Sequence, residues 1–148
     1  MINPIPKGKH TLTAAMNVKD AAGAIDFLKR AFGAEEVSRM ADAQGRVMHS
    51  EVKIGDSLMM VSEAMQESET RAAFMLYVAD CDAVYRRAIE GGASSLMEPA
   101  DMFWGDRFAR VTDGWGNRWG IGQHIEDVAE DEVRRRGEAF MASQAKPA

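Results

Sequence analysis

His49 and Glu51 stand two positions apart in the run Arg46 to Ile54. In an extended segment, residues two apart point to one face. An imidazole and a carboxylate so placed can reach one ligand, or each other. Such a pair can hold or move a proton, or anchor polar groups of a ligand. It can equally be an ion pair on a solvated strand face. Arg110, in the run Phe108 to Thr112, offers a guanidinium suited to an anionic or carbonyl group, or to Glu51 itself. Phe103 and Trp104 fall in a loop bounded by Pro and Gly, Glu98 to Gly105, and binding residues concentrate on loops. Arg107 follows that loop, with Asp101 and Asp106 as competing partners. Tyr77 adds a hydroxyl that can orient a ligand or simply satisfy one core hydrogen bond. The expected ligand contacts are therefore His49, Glu51, Tyr77, Phe103, Trp104, Arg107 and Arg110; His49 and Glu51 are the only candidates for catalytic work.

The elements that position these residues come as a repeat. Val18-Lys19-Asp20-Ala21 returns as Val78-Ala79-Asp80-Cys81. Phe32-Gly33-Ala34 returns as Gly91-Gly92-Ala93, and Gly55-Asp56-Ser57-Leu58 as Gly116-Asn117-Arg118-Trp119. Each recurrence is about 60 residues on. Each copy reads as a strand, a helix and three strands. Asp20 and Asp80 supply the helix N-caps, and Ala21, Ala24, Ile25, Leu28 and Phe32 recur at helical spacing. Gly33 ends the first helix. The expected organisation is one α+β domain over 1–148: βαβββ units at 11–63 and 73–124, and a C-terminal helix at 127–142. On that helix Glu130/Arg134, Asp131/Arg135 and Glu132/Arg136 are i,i+4 pairs, which makes Arg134-Arg135-Arg136 a solvated face rather than a nucleic-acid patch. Strand alternation puts Val47, His49, Glu51 and Lys53 on one face, and Met48, Ser50, Val52 and Ile54 against the helices. With the repeat aligned on the turn glycines, His49 falls on Arg110 and Glu51 on Thr112.

The chain has 148 residues, 28% charged and 46% hydrophobic, enough for one globular core. Its formal net charge is −5, which argues against nucleic acid or an anionic membrane as partner. No apolar run approaches the ~18 residues of a membrane-spanning helix, and the first residues do not read as a signal peptide. A single cysteine, Cys81, excludes an intrachain disulfide. A cytoplasmic protein is expected. Cys81 reads as a packed thiol, and His10 and His124 as isolated surface histidines. The 11 methionines suit core filling or an adaptable apolar pocket. No phosphate loop and no nucleophile elbow is present.

Tandem βαβββ units with Val-x-Asp before each helix resemble the vicinal oxygen chelate superfamily of glyoxalases, bleomycin-resistance proteins and extradiol dioxygenases. Phe103-Trp104-Gly105-Asp106-Arg107, then Val111-Thr112-Asp113-Gly114-Trp115-Gly116-Asn117-Arg118-Trp119, resembles its bleomycin-resistance-like branch, as does Gln123-His124-Ile125-Glu126-Asp127-Val128. The resemblance covers about Thr11 to Val128. It implies curled sheets forming a cup, and a homodimer, since family members commonly build or shield their cups across a two-fold interface. It also implies metal-ligand positions, which fall here on Thr13, Met59, Ala73 and Gly120. None carries the imidazole or carboxylate that a divalent ion needs. The resemblance therefore points to a metal-free small-molecule-binding protein of the bleomycin-resistance-like type, with no cofactor and a small ligand as its partner. A glyoxalase-type lyase or isomerase with a non-standard metal site is the enzymatic alternative, and a non-catalytic interaction module the other.

Overall fold

The computed structural model describes residues 1–66 and 68–145. The first unit runs β1 (Ala15–Val18), α1 (Ala21–Phe32), β2 (Glu35–Ala41), β3 (Val47–Ile54) and β4 (Ser57–Glu63). The second runs β5 (Ala73–Tyr77), α2 (Cys81–Glu90), β6 (Ser94–Asp101), β7 (Asp106–Thr112) and β8 (Arg118–His124), and α3 (Glu130–Gln144) follows. The first sheet has the order β1-β4-β3-β2 and the second β5-β8-β7-β6. In each, the strand before the helix pairs in parallel with the last strand of its unit, and the other pairings are antiparallel.

Local chemistry explains the helix boundaries. Asp20 sits in the left-handed region at φ 59°, and its carboxylate accepts from the Gly23 amide at 3.1 Å. A β-carbon at Gly23 would lie 2.2 Å from that carboxylate, so the cap requires glycine there. Glu63, ending β4, accepts from the Asp20 and Ala21 amides, both at 2.9 Å, and locks the helix start to the sheet. Asp80 caps α2 by accepting from Ala83 at 2.9 Å. Gly33 closes α1 at φ 66°.

One core serves both units. Met16, Val18, Val52, Met59 and Val61 of the first sheet and Ala109, Val111, Trp119 and Ile121 of the second are buried together with the inner faces of α1 and α2. The two helices pack on each other. Phe32 of α1 meets Trp119 at 4.9 Å between ring centroids, and Phe27 meets Trp115 at 6.0 Å. Among the described residues, the two sheets exchange no backbone hydrogen bonds. Each buries one face on the helices and leaves the other face open.

The β7–β8 turn is a hydrogen-bonded knot. One Asp113 carboxylate oxygen accepts from the Trp115 and Asn117 amides at 2.8 and 2.9 Å. The other accepts from the Trp119 indole at 2.9 Å, and the Asn117 amide oxygen accepts from the Ala72 amide at 2.9 Å. The Asp-Gly-Trp-Gly-Asn-Arg-Trp stretch is thus a structural clamp, which anchors the largest fully buried side chain, Trp119.

Three expectations shift. The turn between Ile54 and Ser57 holds two residues, while that between the paired Asp113 and Asn117 holds three. The alignment on the turn glycines therefore slips by one residue on β4 and β8, where Met60 corresponds to Gly120, and by two on β3 and β7, where Glu51, paired with Met60, corresponds to Arg110, paired with Gly120. Met59 accordingly points into the core at 6% exposure, and Met60 takes the open-face position expected for Met59. A register irregularity between Met40 and Ala41 turns Val47 inward, fully buried, and Met48 outward at 40%. Finally, β6 continues to Asp101, with Pro99 at an irregularity between Met97 and Ala100 where no ladder amide is needed, so the expected loop shrinks to 102–105.

Candidate functional site

The open faces carry most of the predicted residues. On the first sheet, His49, Glu51 and Lys53 of β3 share the outward face with Leu58 and Met60 of β4 and Ala15 of β1. Glu51 does not pair with Arg110. Its carboxylate accepts a 2.5 Å hydrogen bond from Lys9 Nζ in the N-terminal segment, while His49 Nε2 lies 3.8 Å away. The hydrogen bond from Lys9 holds the Glu51 carboxyl below its ordinary pKa. Glu51 is thus an ion-paired carboxylate rather than a free base.

On the second sheet, β8 alternates Trp119 and Ile121 inward with Gly120 and Gly122 outward. The bare glycines form a floor. A β-carbon at Gly120 would lie 2.8 Å from Met75 Sδ and 3.0 Å from the Phe108 ring; one at Gly122 would lie 2.4 Å from Met75 Cε and 3.4 Å from the Tyr77 ring. Met75, Tyr77 and Phe108 therefore lie down on β8. Tyr77 is 68% exposed and Met75 42%, so this apolar surface is uncovered. Trp104 extends it, edge-on to Phe108 at 5.5 Å, with its indole N–H held by Asp106 at 2.9 Å. Arg110 stands in the same face between Met97 and Gly120, with no ion-pair or hydrogen-bond partner among the described residues.

Two predicted contacts lie elsewhere. Arg107 alternates to the helix side, where it grips both carboxylate oxygens of Asp82 on α2 and reaches Asp101 at 3.0 Å. Phe103 turns from the open face to α3, packing against Phe140 at 5.4 Å and above Gly137, whose β-carbon would approach the ring to 3.1 Å. Sequence reasoning placed both by neighbourhood to Trp104, and the strand period separates them. It missed Phe108, Met75 and the glycine floor as one surface; the Gly-x-Gly alternation beside Trp119 was the available signal.

His124 is not isolated. Its Nδ1 lies 2.8 Å from the buried Asp106 carboxylate and its Nε2 2.8 Å from Asp127. Hydrogen bonds to the Asp127 and Asp106 carboxylates raise its pKa above the ordinary 6.5. Cys81 is buried, with its thiol donating to the Ile121 carbonyl at 3.2 Å, and burial pushes its pKa up, as expected of a packed thiol. Two clefts of about 770 and 450 Å³ run along the seam between the units, both bordered by Ile54, Ser57 and Met75. None of His49, Glu51 and Arg110 lines either, so within one chain these three share neither cleft, whereas Met75 borders both, Tyr77 the first and Leu58 the second.

Residues 9–121 match the model of the Glyoxalase/Bleomycin resistance protein/Dioxygenase superfamily. The chain belongs to this superfamily. An uncharacterized protein of Mycobacterium tuberculosis (strain H37Rv) is 32% identical over 145 residues, covering 90% of this chain and 83% of that protein. Among solved structures, TioX from Micromonospora sp. ML1 superposes with a TM-score of 0.68 at 24% identity, over 79% of this chain and all of that one. TnmS3, an antibiotic binding protein from Streptomyces sp. CB03234, gives 0.62 at 24% identity, over 78% of this chain and 96% of that one. These likenesses are of fold.

The superfamily's metal chemistry can be tested against the donors present. With the register corrected, the metal-ligand positions that the resemblance implies fall on Thr13, Met60, Ala73 and Gly120. They offer one hydroxyl, one thioether and no imidazole or carboxylate, so they do not fit a divalent ion. Among the described residues, no group of three or more His, Cys, Asp or Glu stands together with metal-binding geometry. No helix of the described chain is long and apolar enough to cross a membrane.

Proposed function

We propose that this protein binds a small, partly flat and apolar molecule without metal, in the manner of the antibiotic-binding members of its superfamily. The observation that carries the reading is the uncovered platform of Met75, Tyr77, Phe108 and Trp104 laid over the Gly120–Gly122 floor. Large apolar groups left in water beside a free guanidinium, Arg110, are costly unless something covers them. The metal-free reading is supported by the donor set at the four ligand positions. A homodimer completes the proposal: the open face of the first sheet in one copy closes over the open face of the second sheet in its partner. A cytoplasmic setting belongs to the same reading.

The test joins three measurements. Sedimentation should give a dimer. Elemental analysis after incubation with nickel, zinc, manganese and iron should give well under one ion per chain. A thermal-shift screen of planar aromatic antibiotics should find binders whose affinity falls about tenfold in Phe108→Ala, the scale of one buried aromatic contact. A tightly held ion lost in His49→Ala, or binding indifferent to Phe108→Ala, would overturn the reading.

A further inference from the structure

Glu51 is a carboxylate in an interior strand of the first sheet, between Ser38 on β2 and Met60 on β4. A charge there needs water or a counter-ion, and it has the Lys9 ammonium, with both side chains under one-fifth exposed at 19% and 18%. The segment that delivers Lys9 is otherwise self-contained. Lys9 N–H bonds to the Pro6 carbonyl, Ile5 to Asn3, and Thr13 to both backbone groups of His10. Among the described residues, the Lys9–Glu51 contact is the one hydrogen bond that ties residues 1–13 to the sheet. Gly8 at φ 83° gives the segment a turn just before that contact. The protein thus seats an ammonium group on its open face and holds it by a tether of a single polar bond.

We propose that Glu51 recognises an ammonium group of the ligand, and that Lys9 fills this position in the free protein and is displaced when the ligand binds. The inference rests on the binding reading above and adds a ligand class: amphiphiles that join a flat apolar body to a primary or secondary amine. A charge-assisted hydrogen bond to Glu51 replaces the one to Lys9, so the exchange conserves the ion pair while releasing the segment. Competition by Lys9 lowers apparent affinity by the fraction of protein in which it occupies the site.

The test uses the full chain and two dyes. Dansylcadaverine carries a naphthalene body and a primary ammonium; its N-acetyl derivative carries the same body without charge. Lys9→Met should tighten dansylcadaverine about tenfold and leave the acetylated dye unchanged, while Lys9→Arg should behave like wild type. Glu51→Gln should weaken dansylcadaverine about tenfold, with no effect on the acetylated dye, and should cancel the gain when combined with Lys9→Met. Melting curves of each variant show that folding is retained. Equal effects of Lys9→Met or Glu51→Gln on both dyes, or no effect on either, would overturn the ammonium site while leaving the binding reading in place. Failure of both dyes to bind the wild-type protein would overturn the two together.

Discussion

The two units share a topology and differ in what their open faces present. The first sheet offers His49, Lys53 and a central Glu51 already neutralised by Lys9. The second offers a glycine floor, flattened Met75, Tyr77 and Phe108, and a central Arg110 without a partner. Their turns differ as well: two residues close β3–β4, and an Asp113-centred knot closes β7–β8. The lesson is that a duplicated fold keeps its inward residues apolar, since both copies must fill one core, while outward positions are free to diverge. Divergence here leaves an ion-paired carboxylate on one open face and exposed apolar side chains on the other.

The two units should differ most in the stability of their turns. Asp113→Ala removes three hydrogen bonds and strands the Trp119 indole N–H in the core. It should cost roughly 3 kcal/mol or more in denaturant unfolding, whereas Asp56→Ala, on the exposed first-unit turn, should stay within about 0.5 kcal/mol. Next come the platforms. Gly120→Val drives two methyl groups into Met75 and Phe108 and should reduce binding of the acetylated dansyl dye at least about tenfold, while Met60→Val, its counterpart on the first sheet, should change it about twofold. Equal losses would show that the two faces contribute alike.

A smaller effect separates the units by pH. A histidine whose pKa is raised by folding stabilises the protein while protonated. The His124 contribution is complete below its ordinary value of 6.5 and fades as pH climbs through its raised folded value. Melting temperature should therefore fall across that window through the Asp106–His124–Asp127 link, and His124→Asn should flatten this part of the profile. The smallest effect expected on binding is that of Arg107→Met. Its partners, Asp82 and Asp101, stand on the helix side of the second sheet, so dye affinity should stay within about twofold. A large loss would return Arg107 to the site.

The repeat, both helices, their Asp caps and the family were legible in the residues, because capping and periodicity are local and each leaves a short signature. The phase of β3 beyond His49 was legible for the same reason. What misled was counting across turns. With the turns aligned on their glycines, one extra residue among Gly114, Trp115 and Gly116 displaced the match by one on β4, which moved Met59 inward, and by two on β3, which matched Glu51 to Arg110 rather than Thr112. The irregularity beside Met40 exchanged Val47 and Met48. A strand has a period of two, so a single-residue slip inverts every assignment that follows it.

Tertiary structure alone decided the partners. Lys9 reaches Glu51 across 42 residues, Arg107 reaches Asp82 across 25, and His124 reaches Asp106 across 18. Such pairings depend on which strand faces which helix and on where a terminal segment comes to rest. The order and types of residues along the chain determined two βαβββ units with an apolar interior. Only the folded chain decided which charges meet and which aromatics lie open, because electrostatic and packing energies depend on distances in space and not on spacing along the chain.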